Sequence, residues 1–540
     1  MRMRRGGPDP AVSLGRLDFP PPGHSFEGPI VLSGWVAFPS GPTARVEAWL
    51  DEMPLGRARM GIPRADVVVA SDAPDAAVAG FELRAGCDAH PELRPGPATL
   101  RVAATSLAGE RFEFDPVPIV VAEPPSPSPS PAVRPVATPT PGTGRSPRLL
   151  AFTNVLSHGG ASLYLFDLLR EARRQGRIEP TVVSAVDGPL RGELEALGVE
   201  VHIASPSSLE SLVAHLDRVE ELAAWAAPGE FDLVLVNTTS GHTVIGAALA
   251  ARLGLPAVWT IHESFELEEL WGGLGADVRA HSEAMLAAAA LAIFEADGTR
   301  QMYRRVLDQR RCRTVPYGLD PAPIDRFRAS FDRAGARAEE GIPADADLLL
   351  CVGTVEPRKA QIPLALAFEQ VVERFPDAHL AIVGVGSRQA SPALVERVKA
   401  SAWSERFHLV GITDQVQRWF GMADLFVCAS DVESLPRSVL EAMAWETPVL
   451  ATSVFGLPEL IADGQTGWLC EDRDVAALAA GLERALDADP AERRRIGAAS
   501  RRLVESRHAL DGYARAVSDL LDGVLDGGRT GDGLSTMPPQ

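Results

Sequence analysis

Two hydrophobic rhythms divide the chain. In the first part, the runs VLSGWVAF, ARVEAWL, GFELRAG, ATLRVAA and FEFDPVPIVV alternate apolar and polar positions between Gly and Pro turns. A period of two turns alternate side chains to opposite faces, one toward a core and one toward water. These runs therefore predict the strands of a small antiparallel β-sandwich. Trp35 and Trp49 fall within them and are expected in its core. Beyond residue 148 the rhythm changes to short, continuous apolar runs, RLLAFTNV, PTVVSAV, FDLVLVNT, PAVWTI and LAIFEA, separated by helical segments such as SLYLFDLLREARRQG. Strands buried on both faces read this way, and alternation of β with α gives a parallel sheet covered by helices. A second series, DLLLCVGT, AHLAIVG, FHLVG, DLFVCAS, PVLAT and GWLC, follows after about residue 330 and predicts a second doubly wound domain.

The sharpest break is EPPSPSPSPAVRPVATPTPGTGRSP, residues 123–147, where Pro, Ser and Thr displace apolar residues and no hydrophobic period survives. Such composition makes a semi-extended linker. The expected organisation is a sandwich over 1–122, the linker over 123–147, α/β domains over 148–330 and 331–523, and a disordered tail over 524–540. The length agrees, since 540 residues exceed what one core serves. An apolar fraction of 46% with 23% charged residues is that of a globular protein able to bury a large core.

Charge narrows the partners. Asp and Glu number 72 against 52 Lys and Arg, and no long basic run concentrates positive potential, which argues against nucleic acid. The five cysteines are odd in number, widely spaced and mostly set in apolar runs, so they read as buried thiols in a reducing compartment. MRMRRGGPDP is basic but no apolar h-region follows it, and no apolar stretch is long enough to span a bilayer. A cytoplasmic protein is expected. The arginines of LLREARRQGR beside apolar residues leave peripheral contact with an anionic membrane face open, against the plainer reading of a solvated helix.

Ligands of open α/β sheets bind beyond the carboxyl ends of the strands, so the residues that follow the strand runs carry the chemistry. After LLAFTNV comes SHGGAS, where Gly159 and Gly160 would let backbone N–H groups approach an anion at a helix start. After DLLLCVGT comes VEPRKAQ, which sets Arg358 and Lys359 between a strand and the next helix. Two adjacent cations suit a diphosphate and would stabilise a departing nucleotide without a metal. After DLFVCAS comes DVESLPRSVLEAMAWETPV, with Glu433 ahead of a helix, Pro436 in its first turn, and Glu441 inside it, leaning back toward its N-terminus. Carboxylates accept paired hydrogen bonds from vicinal hydroxyls, so one could hold a sugar and the other a ribose.

Together these segments resemble the family 4 glycosyltransferases. ESLPRSVLE resembles their Glu-x7-Glu signature, SHGGAS the glycine loop, VGTVEPRKAQ the phosphate loop, and SVFGLPELIADGQTGWLC the segment that follows the Glu pair, over roughly residues 148–505. The resemblance implies a GT-B fold, α/β, with two Rossmann-like domains facing a cleft, here preceded by the all-β sandwich. It implies a retaining transfer of a sugar from a UDP- or GDP-sugar to a glycan or lipid-linked acceptor, in surface polysaccharide or glycoconjugate synthesis. By position, Glu433 with Ser434 and Leu435 would contact the donor sugar, Glu441 the ribose, and Gly353, Arg358 and Lys359 the diphosphate, with Gly159 and Gly160 bordering it. His262 in WTIHES falls where family members often place a His near the donor sugar. The sequence departs from the family in having Gly353 followed by Thr354 instead of Arg, and in Ser-Leu-Pro after Glu433, where Pro436 lacks an N–H. No DxD-type motif stands in a metal-binding context and no Cys/His cluster has zinc spacing, so neither metal nor other cofactor is expected. The competing readings are a GT-B nucleotide-sugar epimerase, against which the Glu pair and the Arg-Lys loop speak, and a catalytically silent sugar-nucleotide or glycan-binding protein.

Overall fold

The computed structural model describes residues 13–526 except 27, 71–72, 74, 86–89, 91–92, 123–144, 207 and 387–389. Nearly all of the expected linker, the expected tail beyond residue 526, and Cys87 lie outside the described residues, while residues 524 and 525, expected in the tail, close the helix Leu510–Leu525. The first part of the chain forms two facing sheets. One has the strand order Leu14–Phe19, Ile30–Ala37, Gly80–Ala85, Arg59–Ile62. The other runs Ser25–Phe26, Val117–Val121, Gly96–Ser106, Thr43–Leu50, Met53–Arg57, with Arg111–Glu113 added beside Gly96–Ser106. All pairings are antiparallel except the short one between Val117–Val121 and Ser25–Phe26.

Alternation sets the sandwich core, with Val46, Ala48 and Leu50 buried on one strand and Ile30, Leu32 and Val36 on another. The same alternation corrects the placing of the two tryptophans. Trp49 shares the face of Arg45 and Glu47 and is half-buried, not in the core. Trp35 is likewise half-buried and packs outward, onto a small cluster of Ala37, Val67, Ala76 and Ala79. Parity along a strand decides which face a residue takes, and it outranks the size of the ring.

Two parallel sheets follow. The first has seven strands in the order Glu200–Ile203, Glu179–Val186, Arg148–Val155, Leu233–Asn237, Ala257–Ile261, Leu291–Phe294, Cys312–Thr314. The second has six, in the order Phe407–Gly411, Ala378–Val385, Asp347–Val352, Leu425–Cys428, Val449–Thr452, Trp468–Cys470. Their centres are fully apolar: Leu348, Leu349 and Leu350 have no exposed surface, each contributing roughly 2 kcal/mol by leaving water. In both sheets the strand order reverses beside the first strand, which is the point where the crossover loops part and leave a crevice.

Over the described residues the chain forms two compact units. One joins the sandwich to the second sheet, as Met1–Ser128, Pro321–Val432 and Ser438–Arg502. The other holds the first sheet with Glu433–Arg437 and the end of the chain from Leu503. In the first unit, one apolar cluster runs from Val46, Met60 and Phe81 of the sandwich to Ile362, Leu366 and Val475 beside the second sheet. The approach is close enough that a Cβ on Gly61, whose φ is +73°, would lie 3.1 Å from Pro363 and 3.2 Å from Ile362. Arg397 on the helix Ser391–Lys399 pairs with Asp75 of the sandwich at 2.7 Å, and also with Glu369. In the second unit, the final helix Leu510–Leu525 buries Leu510, Tyr513, Val517 and Leu521 and packs on the helix Gly160–Arg174. Arg177 reaches it through Asp519 at 2.5 Å and Asp522 at 2.7 Å. The neighbouring arginines of the basic helix also meet carboxylates, Arg170 with Asp167 and Arg174 with Glu171. Among the described residues no helix is long and apolar enough to cross a membrane.

Candidate active site

In the second sheet, the strand Asp347–Val352 ends at Gly353, whose φ of +151° turns the chain out of the strand. Gly384, at the end of the adjacent strand, has φ +116°, and a Cβ there would meet the Gly353 carbonyl oxygen at 2.4 Å, so only glycine fits. The loop that follows is held from beneath by Gln361, which is 1% exposed. Its amide nitrogen donates to the Thr354 carbonyl at 3.1 Å, and its oxygen accepts from Glu356 N–H at 3.3 Å. A short turn, Pro357–Lys359, then brings the chain through Ala360, at φ +51°, into the helix Gln361–Val371.

This geometry gives the two cations different surroundings. Arg358 Nε donates to Glu356 Oε2 at 2.8 Å, and its Nη1 lies 3.4 Å from the Val432 carbonyl. The Arg358 carbonyl in turn accepts from Asp431 N–H at 2.7 Å. Arg358 thus ties its loop to the residues just after the strand Leu425–Cys428, and part of its charge is answered by Glu356. Lys359 lays its stem along Gly353, with Cε 3.8 Å from where a Cβ would stand, and is half-buried. The two linked loops leave neighbouring strands on either side of the order reversal. Glu441 is half-buried on the helix Arg437–Ala444, whose first residue directly follows Pro436.

The first sheet finishes its strands differently. Asn237, His262 and Glu295 stand at the carboxyl ends of three adjacent strands. His262 Nδ1 is 2.8 Å from Glu295 Oε1, and Nε2 is 2.9 Å from Asn237 Oδ1. The Asn237 amide nitrogen donates to the Ala161 carbonyl at 3.0 Å, so its oxygen is the atom turned to the ring. With an acceptor at each nitrogen, the ring is placed to donate twice when it is protonated. Burial opposes this charge, but Glu295, with Glu263 behind it, outweighs burial and raises the His262 pKa above its ordinary value. Tyr164 covers the ring edge-on at 4.0 Å. Both His262 nitrogens are therefore engaged within the protein.

Glu263 accepts from Thr239 Oγ1 at 3.0 Å and from the N–H groups of Thr239 and His262 at 3.1 and 3.2 Å. Two residues past His262, Ser264 Oγ donates to the Glu433 carbonyl at 3.1 Å and lies 2.7 Å from Thr299 Oγ1, which donates to Ser434 Oγ at 2.9 Å. Glu433, Ser434 and Leu435 are all buried. Arg437 contacts both Asp167 and the Tyr317 hydroxyl, with its guanidinium over the Tyr317 ring at 5.6 Å. Gly159 caps the helix Gly160–Arg174 with extended backbone, and a Cβ on Gly160 would enter open space.

Of the expected residues, Gly353, Arg358, Lys359 and Glu441 thus belong to the unit of the second sheet, and Gly159, Gly160, His262, Glu433, Ser434 and Leu435 to that of the first. Asn237, Glu263, Glu295 and Asp431 escaped the sequence reading. A signal for three of them was present: each is a polar residue at or just past the end of an apolar run.

Comparison with known proteins decides what carries this architecture. A family model described as glycosyltransferase family 4 matches residues 158–323, and one described as glycosyl transferases group 1 matches residues 332–503. D-inositol 3-phosphate glycosyltransferase of Streptomyces scabiei is 32% identical over 377 residues, 64% of this chain and 83% of that protein. The chain is a family 4 glycosyltransferase.

The enzyme of the same description from Streptomyces avermitilis is 32% identical over 327 residues, 57% of this glycosyltransferase and 69% of the relative. Among solved structures, Anabaena HepE in complex with UDP and glucose superposes with a TM-score of 0.59 at 19% identity, covering 69% of this chain and 99% of that one. A glycosyltransferase from Rickettsia africae gives 0.61 at 16% identity, covering 71% and 99%. These likenesses establish the GT-B fold, and the sandwich ahead of residue 123 lies outside both family matches to this glycosyltransferase.

Proposed function

We propose that this glycosyltransferase moves a sugar, with retention, from a nucleoside-diphosphate sugar to a hydroxyl of a glycan or lipid-linked acceptor. The observation that carries the reading is the pair of loops at residues 353–360 and 431–432, joined through the Arg358 carbonyl and the Asp431 N–H, which presents Lys359 beyond the ends of neighbouring strands. A diphosphate placed against them would meet the Lys359 ammonium, carried on a loop already fixed by Gln361. Charge that develops on the leaving group would be stabilised without reorganisation, the largest lever such a site has. In this reading Glu441 takes the ribose hydroxyls and Glu433 the sugar, while the His262 network holds the loop of Ser264, and through it the Glu433 backbone, in place.

The complexes of Anabaena HepE with UDP and glucose and with UDP-glucose support a UDP-sugar as the donor to try first. The relatives named D-inositol 3-phosphate glycosyltransferases support a second acceptor class, a small phosphorylated polyol. A donor screen by thermal shift with UDP- and GDP-sugars, followed by release assays with both acceptor classes, tests the proposal. Glu433→Ala is expected to lower turnover by roughly a thousandfold, the scale of removing a group that acts on the developing charge; full activity in that variant would overturn the site.

A further inference from the structure

The sandwich lies outside the family matches, yet it touches the loop on which the proposed chemistry depends. Its strand Arg59–Ile62 packs directly against the turn Pro357–Lys359. Three sandwich arginines face the acidic segments of the second sheet. Arg45 lies 3.6 Å and Arg57 3.9 Å from Asp474, and Arg57 also pairs with Glu471. Arg473 answers by donating to the Arg57 carbonyl at 3.0 Å. The third, Arg59, lies with Nε 4.0 Å from Asp431 Oδ2. Asp431 is 2% exposed, and among the described residues neither of those two atoms has a hydrogen-bond partner. This is the residue whose N–H is bonded to the Arg358 carbonyl.

We propose that Arg59 is a positioning residue for the donor diphosphate: from the sandwich, it holds the Asp431 carboxylate and thereby fixes the two loops that meet at Arg358. The inference deepens the proposed function and rests on it. The physical argument is one of cost. A carboxylate taken out of water is expensive, and a seam already lined by Met60, Ile362 and Pro363 could be closed with apolar side chains at lower cost. A buried charge retained there specifies a geometry, and the geometry it specifies is that of residues 353–360. The groups that face Asp431 are Arg59 from the sandwich, and Arg473, by guanidinium and backbone N–H, with Asp472 from the loop after the strand Trp468–Cys470. Burial raises the Asp431 pKa, the two arginines oppose it, and the balance leaves it near 7. The grip is complete above that pH and is released below it.

The test is nucleotide binding by calorimetry, with UDP and GDP as probes, from pH 6 to 8.5 on the full chain. Arg59→Met is expected to weaken binding about tenfold at pH 8 and to move the midpoint at which affinity is lost upward by roughly one pH unit, since the carboxylate loses an opposing charge. Arg59→Lys should restore most of the affinity. Asp431→Asn should bind weakly with no carboxylate-dependent step over the whole range, a signature that a purely structural contact would not give. If Arg59→Met fails to fold, Arg59→Lys against Asp431→Asn carries the same comparison of pH profiles. Wild-type affinity and an unchanged midpoint in the Arg59 variants, with binding lost in Lys359→Ala, would overturn the role of Arg59 alone. Unchanged binding in Lys359→Ala, or no binding of either nucleotide to the wild type, would overturn the loop assignment and this inference with it.

Discussion

The two parallel sheets share one strand order and end their strands in opposite ways. At the first sheet, Asn237, His262, Glu263 and Glu295 answer one another, so the polar atoms that emerge from the apolar strands are satisfied before any ligand arrives. At the second, the strand leaves through Gly353, packed against Gly384 of the adjacent strand, into a loop held from behind by Gln361, and a cation stands at its front. The difference teaches that topology places a crevice and the residues just past the strands decide its use. A closed network gives rigidity; in the function proposed above, a braced loop that carries an ammonium gives a seat for an anion.

Substitutions can break that contrast from either side. Between the His262 network and the Lys359 loop, the larger effect on activity is expected at the second sheet, where Lys359→Ala should lower kcat/KM by roughly a hundredfold or more with little change in melting temperature, because the lost charge acts on the leaving group. At the first sheet, His262→Gln should do the reverse. It leaves Glu295 buried without its opposing charge, which costs about 3 kcal/mol in stability by denaturant titration, while activity per folded molecule falls less than in Lys359→Ala. The pH dependence sharpens this. His262 has a raised folded pKa, so its contribution is full below the unfolded value near 6.5 and is lost as pH rises through the folded value. Wild-type stability should therefore decline from about pH 6.5 upward more steeply than that of His262→Gln. The smallest effect is expected from chelation. Among the described residues no three His, Cys, Asp or Glu side chains converge as metal ligands, and activity with excess EDTA should stay within about twofold of the untreated enzyme, a metal-restored loss being the contrary result.

Both sheets and the sandwich were legible in the sequence because they rest on local periodicity: continuous apolar runs in one case, strict alternation in the other. The Glu-x7-Glu segment and the Arg-Lys loop were legible for a related reason, since their residues directly follow such runs. What escaped depends on contacts distant in sequence. Arg358 read as one of two equivalent cations, yet Glu356 and the Val432 carbonyl claim part of its donor set. His262 was expected beside a sugar, and no local signal could announce that Asn237 and Glu295, 25 and 33 residues away, would take both of its nitrogens. The sandwich read as a module on a tether, whereas its apolar core is continuous with that beneath the second sheet. Alternation reveals that a face is buried and is silent about what buries it.

The order of the units along the chain carries a further consequence for synthesis. On the ribosome the sandwich emerges before both parallel sheets, but the helices that pack against its core, Gln361–Val371 and Val475–Asp487, follow only after the whole first sheet has been made. That first sheet in turn lacks its closing helix, Leu510–Leu525, until the whole second sheet has been made. Each half must therefore keep an uncovered apolar surface from sticking while it waits, and a nascent chain cut at either natural-looking boundary would leave the exit tunnel with a sticky face and nothing to cover it.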